Sequence, residues 1–315
     1  MTGTDRHVFG PVPSRRLGIS LGIDIIPYKV CSLDCLYCEC GQTTQLLLER
    51  KRFVEPAEVL AELATALPAI PHLDVITFSG SGEPTLNADL GELIRGIKNM
   101  TRVPVVVLTN GTLCHRADVR HDLRAADIVL PSLDAATPAV FRQINRPHPG
   151  LEVEPMVAGL AAFRQEYRGQ IWLEVFILKG INDTAAERAA LHAAITRIAP
   201  DRVQLNTLDR PPAVPGVESA PISLLEEIAA EWSDLPVEII KRFHHRGEIL
   251  AFSQNLENSI LNTIRRRPLT VADLAVLTGK GNREILKYLD ILEKEHQVRR
   301  VIVGKDIFYA LPAAQ

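Results

Sequence analysis

The chain has 315 residues, 46% of them hydrophobic and 23% charged, with a formal charge of −3. That length accommodates one large and one small domain, and the composition is that of a globular protein rather than a disordered one. The small negative charge argues against a nucleic-acid surface spread over the whole chain, and no run approaches the roughly 18 apolar residues of a membrane span. The opening MTGTDRHVFGPVPSRR has no apolar signal core, and five cysteines, mostly in one loop, fit a reducing compartment. The expected location is the cytoplasm, with no membrane partner.

From about residue 17 to 240, short apolar runs alternate with longer amphipathic stretches, the pattern of a parallel α/β domain. The first run, LGISLGIDII, places Ile19, Leu21, Ile23 and Ile25 on one face and Gly18, Ser20, Gly22 and Asp24 on the other. The bulky face packs on helices. The small face either leaves room for a bulky ligand or relieves packing against a neighbouring strand. Next comes Cys31-Ser-Leu-Asp-Cys35-Leu-Tyr37-Cys38. Thiolates are the usual ligands of iron–sulfur clusters, and a four-iron cluster held by only three of them keeps one iron open to a reactant. The alternative is a structural zinc site with Cys40 as fourth ligand, although such sites usually draw ligand pairs from separate places. Cys40 and Cys114 carry no pattern of their own and read as small buried residues.

A helical pattern over Glu55–Leu67 leads to the strand DVITFS and the turn Ser79-Gly80-Ser81-Gly82-Glu83-Pro84. Glycines at a strand end let the backbone approach a ligand, and Glu83 supplies a carboxylate. Then follow a helix over Ala88–Met100, the strand VPVVVLT ending in Thr109-Asn110-Gly111, the strand DIVLPSLD with Ser132 and Asp134, and helices over Thr137–Ile144 and Val153–Tyr167. The strand IWLEVFIL carries Glu174, a helix spans Thr184–Ile198, and the strand RVQLN carries Gln204 and Asn206. Six strand–helix units are too few for a closed eight-unit barrel, so a partial barrel of six or an open doubly wound sheet is expected. In a barrel the polar residues at the strand ends converge on one cavity; otherwise they cap helices or satisfy loop amides. Lys179, Asn182, Asp183, Asn145 and Arg146 fall in rim loops.

Cys31, Cys35, Tyr37 and Cys38 match the signature of the radical S-adenosylmethionine (radical SAM) superfamily, and that resemblance implies a partial (β/α)6 TIM-like barrel. It also implies a 4Fe-4S cluster on Cys31, Cys35 and Cys38, with S-adenosyl-L-methionine chelated to the open iron. A reducing partner such as flavodoxin or ferredoxin then supplies an electron, the sulfonium is cleaved, and a 5′-deoxyadenosyl radical abstracts hydrogen from the substrate. The turn Gly80-Ser81-Gly82-Glu83 resembles the segment that holds the cofactor's methionyl amino group, with Ser81 where a glycine is usual. By the same resemblance Ser132, Asp134, Glu174 and Asn206 serve the ribose and methionyl groups, Asn110 joins them at a strand end, and the backbone near Tyr37 faces the adenine. More narrowly, GPVPSRRLGISLGIDIIPYKVCSLDCLYCECGQTT with FSGSGEPTL, TNGTL and LKGINDT resembles the group related to the tRNA wyosine-base synthases, over roughly residues 9 to 210. This implies a modified RNA base as substrate, with a peptide or small metabolite as second choice. The archaeal synthases bind a second cluster through cysteines upstream of the loop. No cysteine precedes Cys31, which argues against their pyruvate condensation.

The catalytic domain is therefore assigned to residues 1–245. After the basic stretch Lys241-Arg-Phe-His244-His245-Arg246, whose histidines read as solvated, residues 254–315 form a second domain. Helices are expected over Asn258–Arg267, Val271–Leu277 and Arg283–Glu295, with Thr270 and Asn282 as N-caps, followed by two strands around Gly304. This resembles a winged helix-turn-helix domain. Ten Lys or Arg stand against seven Asp or Glu in residues 254–315, but the presumed recognition helix mixes Arg283 and Lys287 with Glu284, Asp290, Glu293 and Glu295. Protein contact thus competes with RNA or other nucleic-acid binding as its role. The rival to an enzyme is a cluster- or metal-sensing winged-helix transcription regulator without catalysis. Such a sensor has no use for the glycine–glutamate turn.

Overall fold

The computed structural model describes residues 7–70, 72–240 and 256–312. The basic stretch with His244 and His245 lies outside the described residues. All six expected strands are present, within one eight-stranded sheet. Its strands are β1 (Val8–Ser14), β2 (Gly18–Ile23), β3 (Val75–Phe78), β4 (Val105–Thr109), β5 (Ile128–Pro131), β6 (Gln170–Phe176), β7 (Arg202–Asn206) and β8 (Val237–Ile239), adjacent in chain order. Strands β2 to β8 are parallel, and β1 runs antiparallel to β2. The order never reverses, so there is no switch point and the doubly wound alternative falls away. A sheet that winds in one direction without pairing its two end strands is a partial TIM-like barrel.

In this large sheet, two strands go beyond the sequence reading. The seventh parallel strand, β8, is three half-buried residues long, too short for an alternation to register. Strand β1 contains Pro11 and Pro13, which cannot donate to a ladder, and it accordingly lies at the sheet edge.

The helices are α1 (Pro56–Ala66), α2 (Leu90–Met100), α3 (Ala117–Leu123), α4 (Pro138–Ile144), α5 (Val153–Glu166), α6 (Ala185–Ile198) and α7 (Ile222–Glu231). Proline opens α1 and α4, where its missing N–H costs nothing, and the Thr184 side chain caps α6 through the Glu187 amide. Leu21, Ile23, Ile76, Phe78, Val105, Val107, Leu173 and Val175 pack with Leu63, Leu93, Ile97 and Leu160 of the helices, all fully buried. Each contributes roughly 1.5–3 kcal/mol. Because strand side chains alternate, the intervening residues point into the barrel. Leu17, Val75, Val106, Leu130 and Trp172 form an apolar plug there, and the positions beyond it are polar. Among the described residues, no helix is long and apolar enough to cross a membrane.

The C-terminal part contains α8 (Leu256–Ile264), α9 (Val271–Thr278) and α10 (Asn282–Lys294). A small antiparallel sheet of β9 (Leu269–Thr270), β11 (Asp306–Ala310) and β10 (Arg299–Val303), in that order, completes it. Thr270 caps α9 in a reciprocal capping box with Asp273, as expected, whereas Asn282 is the first residue of α10 rather than its flank. Ile260, Ile264, Leu274, Leu277, Ile285, Leu289 and Tyr309 form a separate core, which Val12 of β1 joins.

Candidate active site

The cysteine loop leaves β2 and returns to α1. Val30–Cys31 pairs in parallel with Gln45–Leu46, so the loop folds back on itself. The turn after β3 supports it: the Lys29 amide donates to the Ser81 carbonyl at 3.1 Å, and the Glu83 amide to the Val30 carbonyl at 3.2 Å. Gly82 packs so tightly that a Cβ there would sit 2.3 Å from the Val30 carbonyl oxygen. That contact is with backbone, which cannot rotate away. Gly82→Ala is therefore expected to displace the loop, lowering stability by about 1–3 kcal/mol and reducing iron uptake in anaerobic reconstitution. Full iron content in the folded variant would refute this role for Gly82.

Each cysteine of the motif receives its own N–H donor from a different part of the chain. Asn110 Nδ2 lies 3.5 Å from Cys31 Sγ, Asn145 Nδ2 3.4 Å from Cys35 Sγ, and Lys29 Nζ 3.0 Å from Cys38 Sγ. Burial pushes the Cys31 thiol up to about 12 and that of Cys35 well above its ordinary range. A hydrogen bond from Cys40, and after it the Lys29 ammonium, draws the Cys38 thiol down to about 6. The thiolate, which is the ligand form, is thus favoured first at Cys38. Cys114 is buried in the core as expected. Cys40 is not a core residue: its thiol donates to the Arg266 carbonyl and, at 3.5 Å, to that of Gly80.

Beside the loop lies a recess lined by Tyr37, Asn110, Ser132, Asp134 and Asn145 with Leu33, Phe141 and Met156. The Tyr37 ring stacks on Phe176 at 4.1 Å between centroids, and its hydroxyl donates to Asp134. Asp134 also accepts from Asn145 Nδ2 at 2.7 Å and from the Phe176 amide at 3.0 Å. Burial nonetheless raises its carboxyl to about 6. Asn145 Oδ1 is buried, with no hydrogen-bond partner among the described residues. Its orientation is set by the other end, since Nδ2 faces two acceptors, Asp134 and the Cys35 sulfur.

Glu174 gathers a second group further into the barrel. Its Oε1 accepts from Arg16 Nη1 at 2.6 Å and Asn206 Nδ2 at 2.9 Å, and its Oε2 lies 3.4 Å from Ser132 Oγ. The expected Tyr37, Asn110, Ser132, Asp134, Glu174 and Asn206 are thus brought together. Gly80, Ser81, Gly82 and Glu83 form another group against the cysteine loop. Ser81 donates to Asp24 through both its amide and its hydroxyl. Both Glu83 carboxylate oxygens are engaged inside the protein: Thr85 donates through its amide at 3.0 Å and its hydroxyl at 2.5 Å, the Thr109 hydroxyl at 2.6 Å and the Asn110 amide at 2.7 Å.

The rim residues are mostly braces. Lys179 pairs with Glu218, Arg146 with Asp34, Asp183 accepts from the Gly180 amide, and buried Asn182 donates to the carbonyls of Asp134 and Phe176. Arg16 and Lys29 were not singled out in the sequence. The arginine pair before a glycine-lined strand was the available sign for Arg16, and Lys29 had none.

The sequence profile of the Radical SAM superfamily matches residues 25–193, more than half of the chain. The chain belongs to the radical SAM superfamily, and it is an enzyme of that superfamily. It is 32% identical over 280 residues to a UPF0026 protein of Methanocaldococcus jannaschii, covering 87% of this chain and 86% of the relative. It is 36% identical over 319 residues to a protein of Brachyspira hyodysenteriae named GTPase Obg, covering 97% of this chain but only 45% of that longer protein. Among solved structures, TYW1 with a lysine-pyruvate adduct bound matches with a TM-score of 0.55 at 19% identity, over 72% of this chain and 76% of that one.

A radical SAM family implies a four-iron cluster and S-adenosylmethionine, and the residues present fit both. Cys31, Cys35 and Cys38 would hold the cluster, each sulfur with its own N–H donor. Among the described residues, no three His, Cys, Asp or Glu side chains group closely enough for one metal ion. A zinc ion needs such a grouping, whereas the thiolates of a cubane each bind a different iron. The orphaned Asn145 acceptor beside a polar recess is the kind of group a cofactor completes.

Proposed function

We propose that this radical SAM enzyme modifies an RNA base of tRNA, with the C-terminal part acting as a winged-helix domain that docks the substrate. The observation that carries the chemistry is the trio of cysteine sulfurs, each met by a separate N–H donor, next to a polar recess in the barrel. When bound, the cluster and S-adenosylmethionine supply reductive cleavage of the sulfonium to a 5′-deoxyadenosyl radical that abstracts hydrogen from the substrate.

The chain's own part is to orient and to exclude water. The Tyr37 ring, backed by its stack on Phe176, walls one side of the recess, and Asp134 locks the Tyr37 hydroxyl and Asn145 in place. Glu174 Oε2, engaged among the described residues only by the long Ser132 contact, has lone pairs for a ribose hydroxyl. The backbone of Gly80–Gly82 can approach a methionyl amino group closely. A cytoplasmic setting with flavodoxin or ferredoxin as electron donor completes this reading.

Support for the tRNA substrate is the sequence resemblance to the wyosine-base synthases. A division into domains at 1–245 and 254–315 agrees with the two separate hydrophobic cores, and three helices followed by the β10–β11 hairpin agree with a winged helix. In that hairpin Arg300 is already paired with Asp290 and Glu293, which leaves Arg299 the more available for a phosphate.

The test is anaerobic reconstitution with iron and sulfide, reduction, and assay for 5′-deoxyadenosine, alongside mass spectrometry of tRNA nucleosides from a deletion strain. A modified nucleoside that disappears and returns on complementation is expected. An unchanged profile moves the substrate to peptides or metabolites. Tight, salt-dependent duplex binding without cofactor cleavage would replace the enzyme reading with the regulator.

A further inference from the structure

We propose that Lys29 sets the reduction potential of the cluster: its buried ammonium, hydrogen-bonded to the Cys38 sulfur, makes the bound cluster easier to reduce. The inference rests on the cluster reading above. A lysine ammonium is strongly hydrated and is almost never fully buried without a partner. Lys29 is only 3% exposed, and among the described residues its ammonium has no carboxylate partner; the Cys38 sulfur at 3.0 Å is what it meets.

The backbone holds it there. Lys29 has φ +57°, a left-handed conformation that side chains with a Cβ adopt at a cost. Its amide is tied to the Ser81 carbonyl at 3.1 Å, and its own carbonyl accepts from the Thr44 amide at 3.0 Å. The chain on either side of Lys29 is thereby pinned to the glycine turn and to the return of the cysteine loop. Lys29 does not line the recess, so it can act on the cluster without touching a ligand bound there.

Hydrogen bonds to ligand sulfurs and nearby charge are the protein's means of adjusting a cluster's potential. Asn110 and Asn145 are neutral donors at 3.5 and 3.4 Å, whereas Lys29 is the nearest donor and the charged one. One-electron reduction adds one negative charge to the cluster, with the electron supplied by a low-potential reducing protein or by dithionite. A cation 3.0 Å from a ligand sulfur favours that more negative state.

The experiment is a redox titration of the reconstituted full chain, followed by electron paramagnetic resonance. Lys29→Met is expected to keep its iron, but at the potential where the wild-type cluster is half reduced its reduced-to-oxidised ratio should fall about tenfold, a midpoint lower by roughly 59 mV. Lys29→Arg should recover most of the shift, which a merely space-filling role would not explain. A Lys29→Met protein with full iron and the wild-type midpoint overturns the proposal. If that variant loses the cluster, wild-type protein carrying nitrogen-15 lysine decides instead: hyperfine coupling from a lysine nitrogen to the reduced cluster is expected, and its absence overturns the proposal. A wild-type chain that assembles no four-iron cluster would overturn the proposed function itself.

Discussion

Cys35→Ala is expected to abolish assembly of the four-iron cluster, with S-adenosylmethionine cleavage falling by more than the roughly 100-fold that loss of an outer-shell partner causes. The visible absorbance of the reconstituted protein and its iron per chain are the measurements. Two thiolates cannot hold a cubane in place of three, and the two remaining thiols are committed elsewhere, Cys40 being already hydrogen-bonded to Cys38 itself. Cys114 is enclosed in the core, and Cys40 is directed at the carbonyls of Arg266 and Gly80. Cys40→Ala should accordingly retain nearly the wild-type iron content. If Cys40 proved as necessary as Cys35, and the metal found were zinc, the four-thiol alternative would be restored.

Glu83→Ala is expected to be among the most destabilising single changes in the catalytic part of the chain. It removes the acceptor for four hydrogen bonds and strands the buried amide of Thr85 and the partly buried amide of Asn110 together with two hydroxyls. At about 1–3 kcal/mol for each orphaned buried group, with some relaxation, the loss should be roughly 3–5 kcal/mol, a drop in Tm on the order of 10 °C. Burial raises the Glu83 carboxyl above its ordinary value, and the same four donors oppose that rise. Glu83→Gln, which keeps one oxygen but turns an NH2 toward a donor, should fall between the two. Thermal unfolding checks the order. A Glu83→Ala protein that melts like wild type yet loses cofactor affinity would mean that the carboxylate serves the ligand rather than the fold.

Much of the fold is legible along the chain because its signals are local. The apolar runs of β3, β4 and β6 are bracketed by turn residues, the prolines of α1 and α4 mark helix starts, and Thr270 announces its cap. Strand β8 escapes notice for the converse reason: three half-buried residues carry no periodicity, and they form a strand only because β7 offers an edge to pair with. Cys40 likewise reads as a spare thiol until the end of α8 is brought against it.

By itself the sequence determined the chemistry class: three thiols at C-x3-C-x2-C spacing, a glycine turn one strand later, and a run of strands whose polar ends share one side. Tertiary structure alone decided what surrounds each of those groups. Asn145 reaches Cys35 across 110 positions and Arg16 reaches Glu174 across 158. Glu83 became a four-bond brace because β4 delivers Thr109 and Asn110 to it. Such contacts depend on strand order and register, which are set by burying many apolar side chains at once rather than by the residues that meet.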